Sequence, residues 1–245
     1  MPNGQLTVVG IGPGDRSMRT LAATDAICKA DIVVGYKTYM DLIADLTEGK
    51  TIDATGMRDE TKRVNRAIDH ALTGLNVVLV SSGDPGVYGM AGLALELCRS
   101  RILTLPIIIT PGVTAANSAA ALLGAPLSCD YCVLSLSDLL VPAKQILQRA
   151  HAAAQGDFVI VLYNPASCKR TSLIHEIRAL FLEYRSPQTP VGIVRNIGRN
   201  GQHATLSTLE QFIEKHIDMN STVIIGNSQS FSWNGRMVNP RGYGL

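Results

Sequence analysis

The chain has few aromatic residues: they make up 5% of 245 residues, with a single tryptophan. Its core must therefore be built from valine, isoleucine, leucine and alanine. Charge of one sign is not in excess either. Lys and Arg number 22 against 20 Asp and Glu, a formal net charge of +2. That is far from the basic surplus of a dedicated nucleic-acid binder, so no nucleic-acid partner is expected beyond what a local basic cleft would hold. Long apolar runs are missing. Stretches such as Phe158–Tyr163 fall far short of the roughly 18–20 residues that span a bilayer. The N-terminus shows neither a basic n-region nor an apolar h-region, which predicts a soluble cytoplasmic protein with no membrane partner. The five cysteines are odd in number and scattered, and they read as reduced thiols.

Several catalytic signatures are also absent. Cys129-x-x-Cys132 has no second pair and no nearby histidine, so a zinc site is not expected and the pair reads as packing. His70, His151, His175, His203 and His216 never fall at metal-ligand spacing. All but His203 sit on polar helical patterns and read as surface groups. There is no Gly-x-Ser-x-Gly elbow and no paired acidic motif. These absences point away from hydrolysis and protein-held metal chemistry, and toward binding and orienting an organic cofactor.

What is present is a repeated alternation. Val- and Ile-rich runs recur at Leu6–Gly10, Asp31–Gly35, Asn76–Ser81, Leu105–Thr110, Cys132–Ser137, Asp157–Tyr163, Val191–Arg195 and Thr222–Gly226. Most are continuous rather than alternating, the pattern of strands buried on both faces. Between them lie helical stripes: Val64, Ala67, Ile68, Ala71 and Leu72, then Leu173, Ile174, Ile177, Leu180 and Phe181. The predicted class is α/β. Gly124-Ala-Pro126 follows an Ala-rich helix at 113–123 and reads as a helix stop and turn. It predicts two domains, 1–126 and 127–245. Asn234-Gly235 between two short strands signals a type I′ hairpin, which predicts a mixed sheet in the second half.

Five loops are candidate sites. The first, Val8-Val-Gly-Ile-Gly-Pro-Gly-Asp15, leaves a strand and enters a helix. A dinucleotide site wants Gly-x-Gly-x-x-Gly and an acid after the second strand. Here Gly14 comes one residue early and Gly35-Tyr-Lys37 supplies no acid. An ordinary turn capped by Asp15 or Ser17 is the simpler reading. The second loop, Ser81–Gly89, gathers three glycines, a proline and Asp84 at a strand end, where ligands bind open α/β sheets. The third, Thr110–Ala116, suits either a polar ligand at a helix start or close packing through small residues. The fourth is Tyr163-Asn-Pro165 with Lys169 and Arg170 following. The fifth is Arg195-Asn-Ile-Gly-Arg199.

These five loops, in this order and over essentially the whole chain, resemble the tetrapyrrole methyltransferases, which use S-adenosylmethionine. The Gly-Asp-Pro loop alone marks only the superfamily. Gly56-Met-Arg-Asp-Glu60, Arg66-Ala-Ile68, Ser81–Gly92, Gly35-Tyr-Lys-Thr-Tyr39 and Met237–Tyr243 are similar to the members that methylate C17 of a precorrin-3B-type macrocycle, or its cobalt form, with ring contraction in cobalamin biosynthesis. The resemblance implies two α/β domains with parallel or mixed sheets flanked by helices. It implies a cofactor in the cleft between them, held largely by backbone groups. By motif position Pro13, Gly83, Asp84, Val87, Tyr88, Thr114, Ala115, Tyr163, Asn164, Asn196 and Ile197 would line that site. Related uroporphyrinogen methyltransferases carry an aspartate just after strand two. Tyr36 stands near that position here, so no base role is carried over, and Tyr36 or Lys37 is left as a proton donor for ring contraction. A polycarboxylate substrate calls for basic groups, and Lys37, Arg58, Lys169, Arg195 and Arg199 are the candidates, each set against a solvated-surface reading. A homodimer is implied.

Other readings stay open at this point. One is a methyltransferase of the same superfamily acting on another macrocycle carbon, on a diphthine precursor or on ribosomal RNA. Others are a nucleotide-binding or NAD-dependent protein using the first glycine loop, and a non-catalytic binding protein that keeps the cleft.

Overall fold

The computed structural model describes residues 4–166 and 172–244. It divides into two compact units, Met1–Thr114 and Ala115–Leu245.

The first unit runs β1 (Gln5–Gly10), α1 (Leu21–Lys29), β2 (Ile32–Tyr36), α2 (Lys37–Asp41), α3 (Ala44–Thr47), β3 (Thr51–Thr55), α4 (Glu60–Leu72), β4 (Asn76–Ser81), α5 (Met90–Ser100) and β5 (Ile107–Thr110). The five strands are parallel in the order β3-β2-β4-β1-β5. Both faces are buried, as the continuous apolar runs predict. Leu6, Val8, Val77 and Leu79 pack under α4 and α5, and Val9, Val33, Val78 and Val80 pack under α1 to α3. Neighbouring strands β1 and β4 thus send their chains to opposite faces. Their C-terminal ends form a topological switch point, the usual ligand position in such sheets. Strand β3 escapes the apolar-run criterion because it lies at the sheet edge and buries only Asp53 and Thr55. Helix α4 buries Val64, Ala67, Ile68 and Ala71 as predicted, but Leu72 at its end is exposed.

The second unit runs α6 (Ala115–Leu123), β6 (Gly124–Ala125), β7 (Tyr131–Ser135), α7 (Ala143–Gln155), β8 (Val159–Tyr163), α8 (Ser172–Leu182), β9 (Pro190–Arg195), β10 (His203–Thr208), β11 (Ser221–Ile225), β12 (Phe231–Trp233) and β13 (Arg236–Val238). Its main sheet has the order β10-β9-β11-β8-β7. Strands β7 and β8 are parallel, while β11 is antiparallel to both neighbours. Helices α7 and α8 cover one face with Ile160, Leu162, Ile193 and Val223. Helix α6 covers the other with Val159, Val161, Val194 and Ile224. A Cβ on Gly192 would lie 2.3 Å from a Leu123 methyl, so the glycine makes room for α6. That packing ties α6 to the second unit, and the division falls before α6 rather than after it at 126 as the sequence suggests.

Two further differences concern the third sheet. The helix does stop at Leu123 and a turn does follow, at 126–127, but Gly124-Ala125 stand between them in extended form. The pair forms β6, which runs parallel to β13. Asn234 and Gly235 both take the left-handed conformation of a type I′ turn, with φ 47° and 72°. The hairpin they close, β12–β13, belongs to a separate three-stranded sheet with β6. The main sheet therefore owes its mixed character to β10 and β11, while the hairpin makes the small sheet mixed, with β13 antiparallel to β12 and parallel to β6. Among the described residues, no helix is long and apolar enough to cross a membrane, and no group of three His, Cys, Asp or Glu gathers as a metal would require.

Candidate active site

The loops after β1, β4 and β5 are bound together by glycine. Gly12 and Gly83 exchange two backbone hydrogen bonds, at 3.2 and 2.7 Å, and both sit at positive φ. A Cβ on Gly112 would fall 2.1 Å from the Gly83 carbonyl oxygen, and one on Gly10 would fall 2.7 Å from the Gly112 nitrogen. Those obstacles are backbone, which cannot swing aside. Three loops can approach this closely only because each brings a residue without a side chain.

Asp84 fastens the same cluster. Its Oδ1 accepts a hydrogen bond from the Gly86 amide at 2.8 Å, and its Oδ2 accepts one from Gly112 at 3.0 Å. Asp84 does not cap α5, whose N-cap is Gly89. A carboxylate offers roughly four lone-pair positions, so two backbone partners leave it able to accept from a ligand. Asp15 is a cap, as the simpler reading of the first loop has it. Its Oδ1 accepts from the Ser17 amide at 2.7 Å and opens a short 3₁₀ turn. Pro13 is buried, whereas Tyr88 is exposed.

Four candidate residues take left-handed backbone, as do Ile102, Asp157 and Asn234 elsewhere. Tyr88, Arg58, Asn164 and Asn196 hold φ of 51°, 67°, 50° and 50°. Non-glycine residues enter that region at a cost, and such strain gathers at functional sites.

In the second unit β8 and β9 run in the same direction on either side of β11, so Tyr163, Asn164, Arg195 and Asn196 lie at the same end of the sheet. The Tyr163 hydroxyl accepts the Ala116 amide at 2.8 Å, at the first turn of α6. Asn164 donates to the Ser135 hydroxyl at 3.0 Å. The Ile197 side chain is buried in the α6 core, which leaves its backbone as the part able to meet a ligand. Thr114 is the last residue of the first unit and Ala115 the first of α6.

The basic candidates stand in different local settings. Arg58 is exposed. Arg195 is ion-paired with Asp218 at 3.3 Å. Burial raises the Asp218 carboxyl, but hydrogen bonds from Ser221 and Asn220, with Arg195 and His216 nearby, together hold it below the usual range. Arg199 lies in the turn after β9. Lys169 lies outside the described residues.

Tyr36 ends β2 and Lys37 opens α2. The Tyr36 ring meets Tyr39 edge-on at 5.2 Å, and the Arg63 guanidinium stands 5.6 Å from its centroid. Sequence reasoning misses Arg63. It is buried, donates to Thr55 Oγ1 at 2.8 Å and to the Gly56 carbonyl at 2.7 Å, and so fixes the start of the Gly56–Glu60 motif beneath Tyr36. A signal exists: Arg63, Ala67 and Ala71 share one helical line, and that line is otherwise apolar. Arg66 and His70 of the same helix reach buried Asp53 at 2.6 and 3.1 Å. His70 therefore braces β3 rather than standing free on a polar face.

A doubly covered parallel sheet with glycine-bound loops at its switch point, joined to a mixed-sheet unit, defines an α/β enzyme of the cofactor-binding kind. Residues 5–213 match the Tetrapyrrole (Corrin/Porphyrin) Methylases, and this chain belongs to that family. It is 46% identical over 240 residues to the probable cobalt-factor III C(17)-methyltransferase of Salmonella typhimurium, covering 98% of this chain and 100% of that protein. The crystal structure of the methyltransferase CobJ superposes with a TM-score of 0.91 at 34% identity, covering 97% of this chain and 100% of that one. A uroporphyrin-III C-methyltransferase from Thermus thermophilus, complexed with S-adenosylhomocysteine, shares the fold at a TM-score of 0.68. Its identity is 20%, over 91% of this chain and 97% of that one.

Proposed function

We propose that this chain methylates C17 of a cobalt-factor III or precorrin-3B-type macrocycle, using S-adenosylmethionine, with contraction of the ring. The observation that carries this reading is the end-to-end similarity to a protein named for that reaction. The donor set fits the cofactor. Loops after β1, β4 and β5 present backbone groups at close-packed glycines, Asp84 keeps acceptor capacity for hydroxyls, and no acid follows β2 to favour a dinucleotide ribose.

S-adenosylmethionine supplies an electrophilic methyl group on a sulfonium sulfur. The chain's task is alignment, because in-line displacement draws much of its rate from positioning. Pro13, Gly83, Asp84, Val87, Tyr88 and Thr114 are the proposed contacts of the first unit. Ala115, Tyr163, Asn164, Asn196 and Ile197 are those of the second. Tyr36 or Lys37 donates the proton that ring contraction needs, with Arg63 positioning the Tyr36 ring. Lys37, Arg58, Lys169, Arg195 and Arg199 meet substrate carboxylates. The working form is a homodimer in the cytoplasm, and a monomer by light scattering at micromolar concentration would remove the dimer from this reading.

The test is incubation with methyl-labelled S-adenosylmethionine and, separately, precorrin-3B and cobalt-factor III, followed by location of the label. Label at C17 is expected, and the preferred macrocycle identifies the natural substrate. Label on another carbon would place the chain elsewhere in the same family.

A further inference from the structure

The second unit contains a cavity of about 360 Å³ lined by Ile193, Arg195, His203, Thr205, Lys215 and His216. It is built on paired strands. Arg195 lies directly across from His203, and Ile193 across from Thr205, so all four share one face of β9–β10. Lys215 and His216 follow a 3₁₀ turn, 212–214, anchored by fully buried Phe212.

The charge balance of the lining is positive. Arg195 and Lys215 are permanent cations, and two imidazoles stand with them. Asp218 opposes them, with Oδ2 at 3.3 Å from both Arg195 and His216. Its Oδ1 is held elsewhere, by the Asn220 amide and the Ser221 hydroxyl. Among the described residues no carboxylate pairs with Lys215 or His203. The Arg195 Nε is buried without a hydrogen-bond partner. A concave site with surplus cations, imidazole N–H donors and a hydroxyl is suited to oxyanions, since hydrogen bonds to a charged acceptor are about twice as strong as neutral ones.

We propose that this cavity binds a compact group carrying two or more oxyanions, carboxylate or phosphate. Two sources share that chemistry: a carboxylate arm of a bound macrocycle, or a free anion such as pyrophosphate or citrate. Arg195 is shared with the proposed substrate contacts, but anion binding in the cavity does not depend on the methyl-transfer reading; only the first source rests on it.

The experiment titrates pyrophosphate and citrate into the full chain by calorimetry at low salt. The same titrations are repeated on Lys215→Ala/His203→Ala and on the control Lys144→Ala, an exposed lysine of α7. Saturable binding is expected, weakened at least tenfold in the double variant and unchanged in the control, with S-adenosylhomocysteine affinity the same in all three. A raised KM for the macrocycle in the double variant, with pyrophosphate competing, assigns the site to a substrate arm. An unchanged KM without competition assigns it to a free anion. No anion binding together with an unchanged KM overturns the site, as does equal weakening by Lys144→Ala. If pyrophosphate binds while S-adenosylhomocysteine does not, the methyl-transfer reading fails and the oxyanion site remains.

Discussion

Asp84 and Gly112 are joined by a 3.0 Å hydrogen bond from the glycine amide to Oδ2, which ties the loop after β4 to the loop after β5. The same carboxylate holds Gly86 with its other oxygen. A residue selected by the sequence as a ligand contact is thus also a clasp. Asp84→Ala is therefore expected to lower both stability and S-adenosylhomocysteine affinity. Each hydrogen bond to a charged group contributes about 1.5–3 kcal/mol. Denaturant melts and calorimetric titration read the two effects separately. Lowered stability with unchanged affinity would make Asp84 a clasp alone.

Gly112 and Gly92 should respond in opposite directions to the same substitution. A Cβ on Gly112 would meet the Gly83 carbonyl at 2.1 Å, whereas one on Gly92, inside α5, has nothing within 4 Å. Gly112→Ala is expected to cost about 1–3 kcal/mol by overpacking and to disturb cofactor binding. Gly92→Ala is expected to stabilise by roughly 0.5–1 kcal/mol, because alanine is the better helix former. Thermal melts of both variants check this, and a neutral Gly112→Ala would show that the three loops do not need their close approach.

The two variants also mark what the sequence discloses. Central strands β1, β4, β8 and β11 are legible because each is a continuous apolar run buried on both faces. Edge strands β3 and β10 are not, because β3 buries only alternate residues and β10 none. The glycine loops stand out as a concentration of special residues, but which glycine touches which depends on strand order, and β1 next to β4 is a tertiary fact. Arg63 shows the same limit: its place in an apolar stripe is visible, its partners Thr55 and Gly56 are not. The basic cavity draws Arg195 from β9 and Lys215 from a segment twenty residues later, too far apart for any motif.

The Arg19–Asp45 pair predicts a pH dependence. Arg19 meets both oxygens of Asp45, at 3.1 and 2.5 Å. Hydrogen bonding from Arg19 holds the Asp45 carboxyl below its usual range, against a smaller effect of burial. A depressed folded-state pKa stabilises above the unfolded value, near 3.8, and that stabilisation is lost as pH falls through the folded value. Asp45 is 43% exposed, so the contribution is about 0.2–1 kcal/mol. Asp45→Asn should be less stable than the parent at pH 7, with the gap closing below pH 4. A gap that persists unchanged at pH 3 would place the effect in packing rather than charge.

Cofactor choice is testable without any macrocycle. Because Tyr36 and Lys37, not an acid, stand at the end of β2, S-adenosylhomocysteine should raise the melting temperature and NAD should not. At a hundredfold excess over Kd, one site contributes about 2.7 kcal/mol. Equal protection by NAD would overturn the cofactor assignment.

Arg58 tests the substrate side. It is exposed in the Gly56–Glu60 loop and held at φ 67°. Arg195 is already half-committed to Asp218, so the two arginines should differ. Arg58→Ala is expected to weaken macrocycle binding without changing S-adenosylhomocysteine affinity or lowering stability by more than about 0.5 kcal/mol, as for ordinary surface changes. Arg195→Ala should weaken macrocycle binding and also destabilise, by uncovering Asp218. Salt should erode macrocycle binding by the parent more steeply than by Arg58→Ala, since exposed charge pairs are screened over roughly 10 Å at 0.1 M ionic strength. Titrating macrocycle into each protein at two salt concentrations, beside a melt of each, separates these outcomes. If Arg58→Ala binds macrocycle as tightly as the parent at both salts, the loop serves the fold and the carboxylates are met elsewhere.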